Sequence, residues 1–177
     1  MSPLTARLRQ TYLGRPFRVF IAVSKLFCAG HLFWTYFYSW GITSGPSMLP
    51  GWEIWGDGAV VSHSYRRGRG VQVGDLVKFK VPVSEDYAIK RVAGMPGDYV
   101  LMHTPDTGRQ EMIQVPKGHC WVLGDNLFAS RDSRLYGPLP MALIDGKVIY
   151  KTGSALWQWS RMEKIKNPFE EQQNSSK

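Results

Sequence analysis

LVKFKV, residues 76–81, places Val77, Phe79 and Val81 on one face and Leu76, Lys78 and Lys80 on the other, the period-two alternation of a half-buried strand. Runs of five or six residues lie on both sides of it: AVVSHS (59–64), YVLMH (99–103), CWVLG (120–124) and KVIYKT (147–152). Gly56-Asp57-Gly58, Gly74-Asp75, Gly97-Asp98, Gly124-Asp125 and Asp145-Gly146 fall between them, and this is turn chemistry. The pattern predicts a mainly β protein, an antiparallel β-domain over residues 41–156, with no sequence repeat.

Upstream the pattern changes. Residues 19–40 read VFIAVSKLFCAGHLFWTYFYSW, about 33 Å as a helix at roughly 1.5 Å per residue, enough to span a bilayer. Lys25 is near enough to one end to snorkel, and Trp34, Tyr36, Tyr38 and Trp40 suit the opposite interface. The expectation is an uncleaved transmembrane helix over 19–40, with membrane lipid as a partner. A buried core helix and a cleavable signal or transit sequence are the alternatives. Residues 1–18 are acid-free and Arg-bearing, as a mitochondrial address would be, and residues 157–177 read as a helical turn from Trp157 to Lys164 followed by a loose polar tail.

The chain has 177 residues, 44% of them hydrophobic, enough for one compact core. Cys28 and Cys120 can make no disulfide framework, and no Cys/His cluster has zinc spacing, so neither metal nor organic cofactor is implied. The net charge is +8, but residues 1–52 supply five basic groups and no acid, whereas residues 53–177 hold 17 basic and 14 acidic groups. The only dense basic run is Arg66-Arg67-Gly68-Arg69, which reads as a solvated loop, so nucleic acid is not an expected partner.

Three segments carry candidate chemistry. Ser47 stands in SGPSMLPG, a stiff turn whose serine could attack while its own N–H helps to bind an oxyanion, although such clusters are also ordinary linkers. His63, His103 and His119 are the reflex choices for a base, yet none stands in a catalytic motif and structural roles suit them better. The other candidate is Lys90 in YAIKRVAGMPGD, whose apolar neighbours could lower its pKa, unless it is simply an exposed edge-strand lysine. In GDNLFASRDSRLYGP (124–138), an Asp132/Arg134 ion pair and the Ser130 hydroxyl could position a neutral amine.

SGPSM, IKRVAGMPGD and GDN…SRDSRLYGP, in that order, resemble the motif set of the type I signal peptidases, membrane-anchored Ser/Lys endopeptidases. SGPSMLP, VPKGHCWVLGDN and DSRLYGPLPMALIDGKV are most similar to the mitochondrial inner-membrane branch, catalytic subunit 1 type. The resemblance spans about residues 42–151. It implies Ser47 as nucleophile, Lys90 as general base, Ser130 as the hydroxyl that orients the lysine, and Asp132 with Arg134 as the supporting ion pair. Gly45 departs from the pattern, because bacterial members carry there a serine that assists the oxyanion hole. The second domain that bacterial members insert is also missing.

The resemblance further implies removal of N-terminal presequences from precursor proteins in the intermembrane space, with a second related catalytic subunit as partner. The substrate is expected as an added strand beside the segments that lead to Ser47 and Lys90. The rival readings are a bacterial-type leader peptidase, a self-cleaving repressor with Ala93-Gly94 as its scissile pair, and a non-catalytic anchored module that binds peptides.

Overall fold

The computed structural model describes residues 15–104, 108, 111–154 and 162–169, in two units that divide after Phe37. The first contains helix α1, Pro16–Tyr36. Proline at its start costs nothing, because the first-turn N–H groups have no intrahelical acceptor, and the Phe37 N–H closes the last turn on Phe33 O at 2.9 Å. No residue of α1 is buried, and its length and composition are those of a helix able to cross a membrane. The helix ends four residues before the expected boundary at residue 40. Tyr38 and Trp40, read as interfacial aromatics, instead belong to strand β1, Tyr38–Ser44, where the Trp40 indole N–H donates to Thr152 Oγ1 at 3.0 Å.

The second unit is antiparallel β. Its strands are β1, β2 (Trp55–Ser62), β3 (Leu76–Lys80), β4 (Tyr87–Gly94), β5 (Tyr99–Leu101), β6 (Met112–Gln114), β7 (His119–Leu123), β8 (Leu139–Pro140), β9 (Ile144–Thr152) and β10 (Glu163–Lys164). The main sheet runs β1-β2-β9-β3-β4-β7-β8 with β10 added on β9, and β5 pairs with β6 as a separate hairpin. Of the expected helical turn from Trp157 to Lys164, residues 157–161 lie outside the described residues and Glu163–Lys164 form a strand against Tyr150 and Lys151. Ala93-Gly94, the scissile pair of the repressor reading, closes β4, with Gly94 opposite Trp121.

Burial in β3 is two-sided at its start. Val77 and Phe79 are fully enclosed with Val92, Val122, Leu139 and Ile144, as the alternation predicts. Leu76, expected on the wet face, is 1% exposed in a second core with Met48, Trp52, Ala59, Val61 and Val148. That second core lies beneath the turn that carries Ser47, so the packing of β2, β3 and β9 fixes the floor of the site. Among the described residues both cysteines are free; burial raises the Cys120 thiol to about 12, which leaves it inert at neutral pH.

Truncation of Phe79 to alanine deletes a ring with no solvent exposure from the first core. A loss of about 3–5 kcal/mol is expected in urea or thermal melts. A variant that melts with the wild type would show that this core does not bear the load assigned to it.

Candidate active site

Ser47 is the middle residue of a single 3-10 turn, Pro46–Met48, between β1 and β2. Below, Met48 is 5% exposed in the second core. On the chain side, the Gly45 N–H donates to Ile54 O at 2.8 Å, which ties the end of β1 to the start of β2. From across the molecule, Asn126 donates its backbone N–H to Ser47 O at 3.0 Å and its side-chain Nδ2 to Pro46 O at 3.1 Å. Among the described residues no acceptor takes the Ser47 N–H, which is left for an incoming oxygen.

Lys90 lies on β4 and is 4% exposed. Its Nζ is 2.5 Å from Ser47 Oγ. Burial lowers its pKa from 10.5 to about 8, against the opposing pull of the Asp132 and Asp125 carboxylates. A hydroxyl beside an amine that is substantially neutral at mildly alkaline pH has the chemistry that a nucleophile and a general base require.

The loop after β7 supports both groups. Gly124 comes so close that an added Cβ would stand 2.5 Å from Ser47 O and collide with the Ser130 side chain. Next to it, Asp125 receives both Arg91 Nε at 2.8 Å and Nη2 at 2.7 Å, while Arg91 Nη1 donates to Gly74 O. The residue that follows the lysine on β4 is thereby clamped to the residue that precedes Asn126. The clamp fixes the lysine's strand relative to the serine's turn.

Asp132 and Arg134 do meet. Asp132 is fully buried; its Oδ1 accepts from Arg134 Nε at 2.8 Å and its Oδ2 from Arg134 Nη2 at 2.9 Å and from the Gly124 N–H at 3.0 Å. Burial pushes this carboxyl up, but the Arg134 and Gly124 hydrogen bonds outweigh it and hold the pKa below the ordinary carboxylate value. Asp132 also caps the single helical turn α2, Ser133–Tyr136. Ser130 is near enough to favour the ionised Asp132, but its buried hydroxyl has no properly directed hydrogen bond among the described residues, and none to Lys90.

The remaining candidates separate. Gly45 cannot give its N–H to an oxyanion, because Ile54 O already holds it. Its φ of +110° also excludes easy replacement by the serine of the bacterial pattern, although the space around it is open. None of the three histidines considered as a base bonds to Ser47: His63 is bonded to Asp145 O, His103 to Glu111 and His119 to Lys117 O. Sequence reasoning missed Asn126 and Gly124 as positioning residues; the quoted GDN was the available signal.

A groove of about 270 Å³ leads away from Ser47 and Lys90 between β1 and the first half of β4, past Ile42, Ser44, Ala88 and Ile89. The outer edges there are open. Among the described residues β1 pairs only with β2, and β4 meets β7 only from Arg91 onward.

The family model for "Signal peptidase, peptidase S26" matches residues 17–107 and 102–152, and the chain belongs to this family of serine peptidases. Mitochondrial inner membrane protease subunit 1 of Schizosaccharomyces pombe is 39% identical over 135 residues, covering 75% of this chain and 85% of the relative. The Saccharomyces cerevisiae protein of the same name is 38% identical over 145 residues, covering 75% and 76%. Mitochondrial inner membrane protease subunit 2 of Mus musculus is 32% identical over 134 residues, covering 72% and 71%.

Asp132→Asn weakens the ion pair, and a loss of roughly 1–3 kcal/mol is expected in thermal melts at neutral pH. Because the folded pKa of Asp132 is depressed, its contribution is complete above 3.8 and is lost as pH falls through the folded value, so the two proteins should converge in acid. Equal melts at neutral pH would contradict a stabilising pair.

Proposed function

We propose that this chain is a membrane-anchored serine endopeptidase in which Ser47 is the nucleophile and Lys90 the general base. The carrying observation is the 2.5 Å approach of a buried lysine amine to a serine hydroxyl on a turn whose serine N–H is open. Neutral Lys90 takes the Ser47 proton as Oγ attacks a peptide carbonyl; the lysine gives that proton to the leaving amine, and then activates a water that releases the acyl group. The Ser47 N–H stabilises the oxyanion. The Ser130 hydroxyl is unpaired and beside Asp132, which suits it to orient the amine once the amine is neutral.

The substrate lies extended in the groove as a strand between the open edges of β1 and β4, so that main-chain hydrogen bonds hold it and the residues along its length provide selectivity. Relatives named as mitochondrial inner membrane protease subunits support further assignments: the mitochondrial inner membrane as location, presequence-bearing precursors as substrates and a second related subunit as partner. Helix α1 is the anchor, and the catalytic unit faces the intermembrane space.

Full-length protein in detergent should cut a precursor peptide, with Ser47→Ala inactive and still folded. Activity of the wild type should rise as pH climbs through about 8, because only the neutral Lys90 amine accepts a proton. Lys90→Arg should be inactive at every pH. Turnover by either variant, or a flat profile across that range, would contradict the assignment.

A further inference from the structure

Residues 162–169 do more than add β10 to the sheet. Beyond the pairing of Glu163–Lys164, the Ile165 N–H donates to Ile149 O at 2.9 Å, and Ile165 packs against the second core, which also holds Met48 and Leu76. Two residues farther on, Asn167 is 5% exposed. An amide so enclosed is costly unless its hydrogen bonds are made. Its Nδ2 donates to Val73 O at 2.8 Å and to Asp75 Oδ1 at 2.9 Å, and its Oδ1 accepts the Phe169 N–H at 2.9 Å. Val73 and Asp75 flank Gly74, where an added Cβ would collide with both the Asn167 side chain and the Phe169 ring.

The turn that Asn167 holds is bonded in turn to β4. The Gly74 N–H donates to Val92 O at 2.8 Å, the Val92 N–H to Asp75 O at 2.9 Å, and Gly74 O accepts Arg91 Nη1 at 2.8 Å. A guanidinium is planar and rigid, so with Nη1 on Gly74 O the remaining donors, Nε and Nη2, are aimed together at the Asp125 carboxylate. Gly74 O is therefore one of three fixed points of the fork that joins the lysine's strand to the loop holding Ser47. Asn167 itself is not among the residues that line the groove, so any effect it has on the reaction is transmitted through others.

We infer that Asn167 is a positioning residue for the Ser47–Lys90 pair, acting through the Gly74 carbonyl and the Arg91 guanidinium. This rests on the protease reading above. The charges around the amine give the direction of its effect. Lys90 feels the Asp125 and Asp132 carboxylates, which are gripped by Arg91 and Arg134 and which favour the protonated amine. A looser Arg91 leaves more of the Asp125 charge to act on Lys90 and admits water, and both changes raise the lysine pKa. The charged groups at the turn itself, Asp75 and Lys147, are 2.7 Å apart and remain paired when Asn167 is truncated.

The test uses the full-length protein in detergent with a precursor peptide, and follows kcat/KM against pH, which reports the free enzyme's base. Asn167→Ala should lower kcat/KM at pH 8 by about tenfold or more, and should move the midpoint of the profile upward from about 8. Asn167→Ser is a milder change that retains an acceptor for the Phe169 N–H but has one proton for two carbonyl and carboxylate acceptors; it should shift the midpoint in the same direction by less. A substitution that only loosens the fold, such as Ile144→Val in the first core, should leave the midpoint in place. Because the effect passes through Arg91, Arg91→Ala alone should raise the midpoint, and adding Asn167→Ala to it should raise it no further. An Asn167→Ala or Asn167→Ser enzyme with the wild-type midpoint, or a double variant in which the two shifts add, overturns the assignment while cleavage itself persists. Failure of the wild type to cut any peptide overturns the protease reading and the assignment with it.

Discussion

A lysine amine taken out of water pays a desolvation cost that falls on its charged form, and the β unit is arranged so that this cost is borne at one point, Lys90. Two carboxylates close enough to influence it could have restored the charge. Both are occupied: Asp125 is gripped by the Arg91 fork, and Asp132 by Arg134 and the Gly124 N–H. Their negative charge is committed elsewhere, so burial wins and the amine falls to about 8. The arginines therefore stabilise the loop and also keep the acids from holding Lys90 protonated.

The same clamps place Ser47. Arg91 follows Lys90 on β4, Asp125 precedes Asn126, and Asn126 holds the carbonyls of Pro46 and Ser47. Three segments far apart in sequence are thus joined by short polar contacts above the core formed by Met48, Trp52 and Leu76. A site assembled in this way tolerates little slack, because a shift in any segment changes the Ser47–Lys90 approach.

Local order was readable in the residues. Alternation in LVKFKV marked a strand, and the Gly-Asp pairs marked the turns around it. The limit of that reading is shown by Leu76: period two reports a preference for one face, but a curled sheet that closes a second core buries the other face as well. β1 was hidden for a related reason, since its aromatic residues continue the apolar run of α1 without a break in composition. Residue types likewise named Ser47 and Lys90 as candidates without deciding between a buried base and an edge-strand lysine; that depends on contacts 43 positions apart. Gly124 was quoted only as part of a turn, because its role is the absence of a side chain where Ser47 and Ser130 come close.

The central claim, a lysine made neutral by burial beside Ser47, can be measured without any substrate. Selective carbon-13 labelling at lysine Cε, with Lys90 assigned by comparison with Lys90→Arg, gives its titration by nuclear magnetic resonance in the folded protein. The account predicts a midpoint at about 8, separate from the bulk of the lysines. A Lys90 signal that titrates at the ordinary value of 10.5 would contradict it.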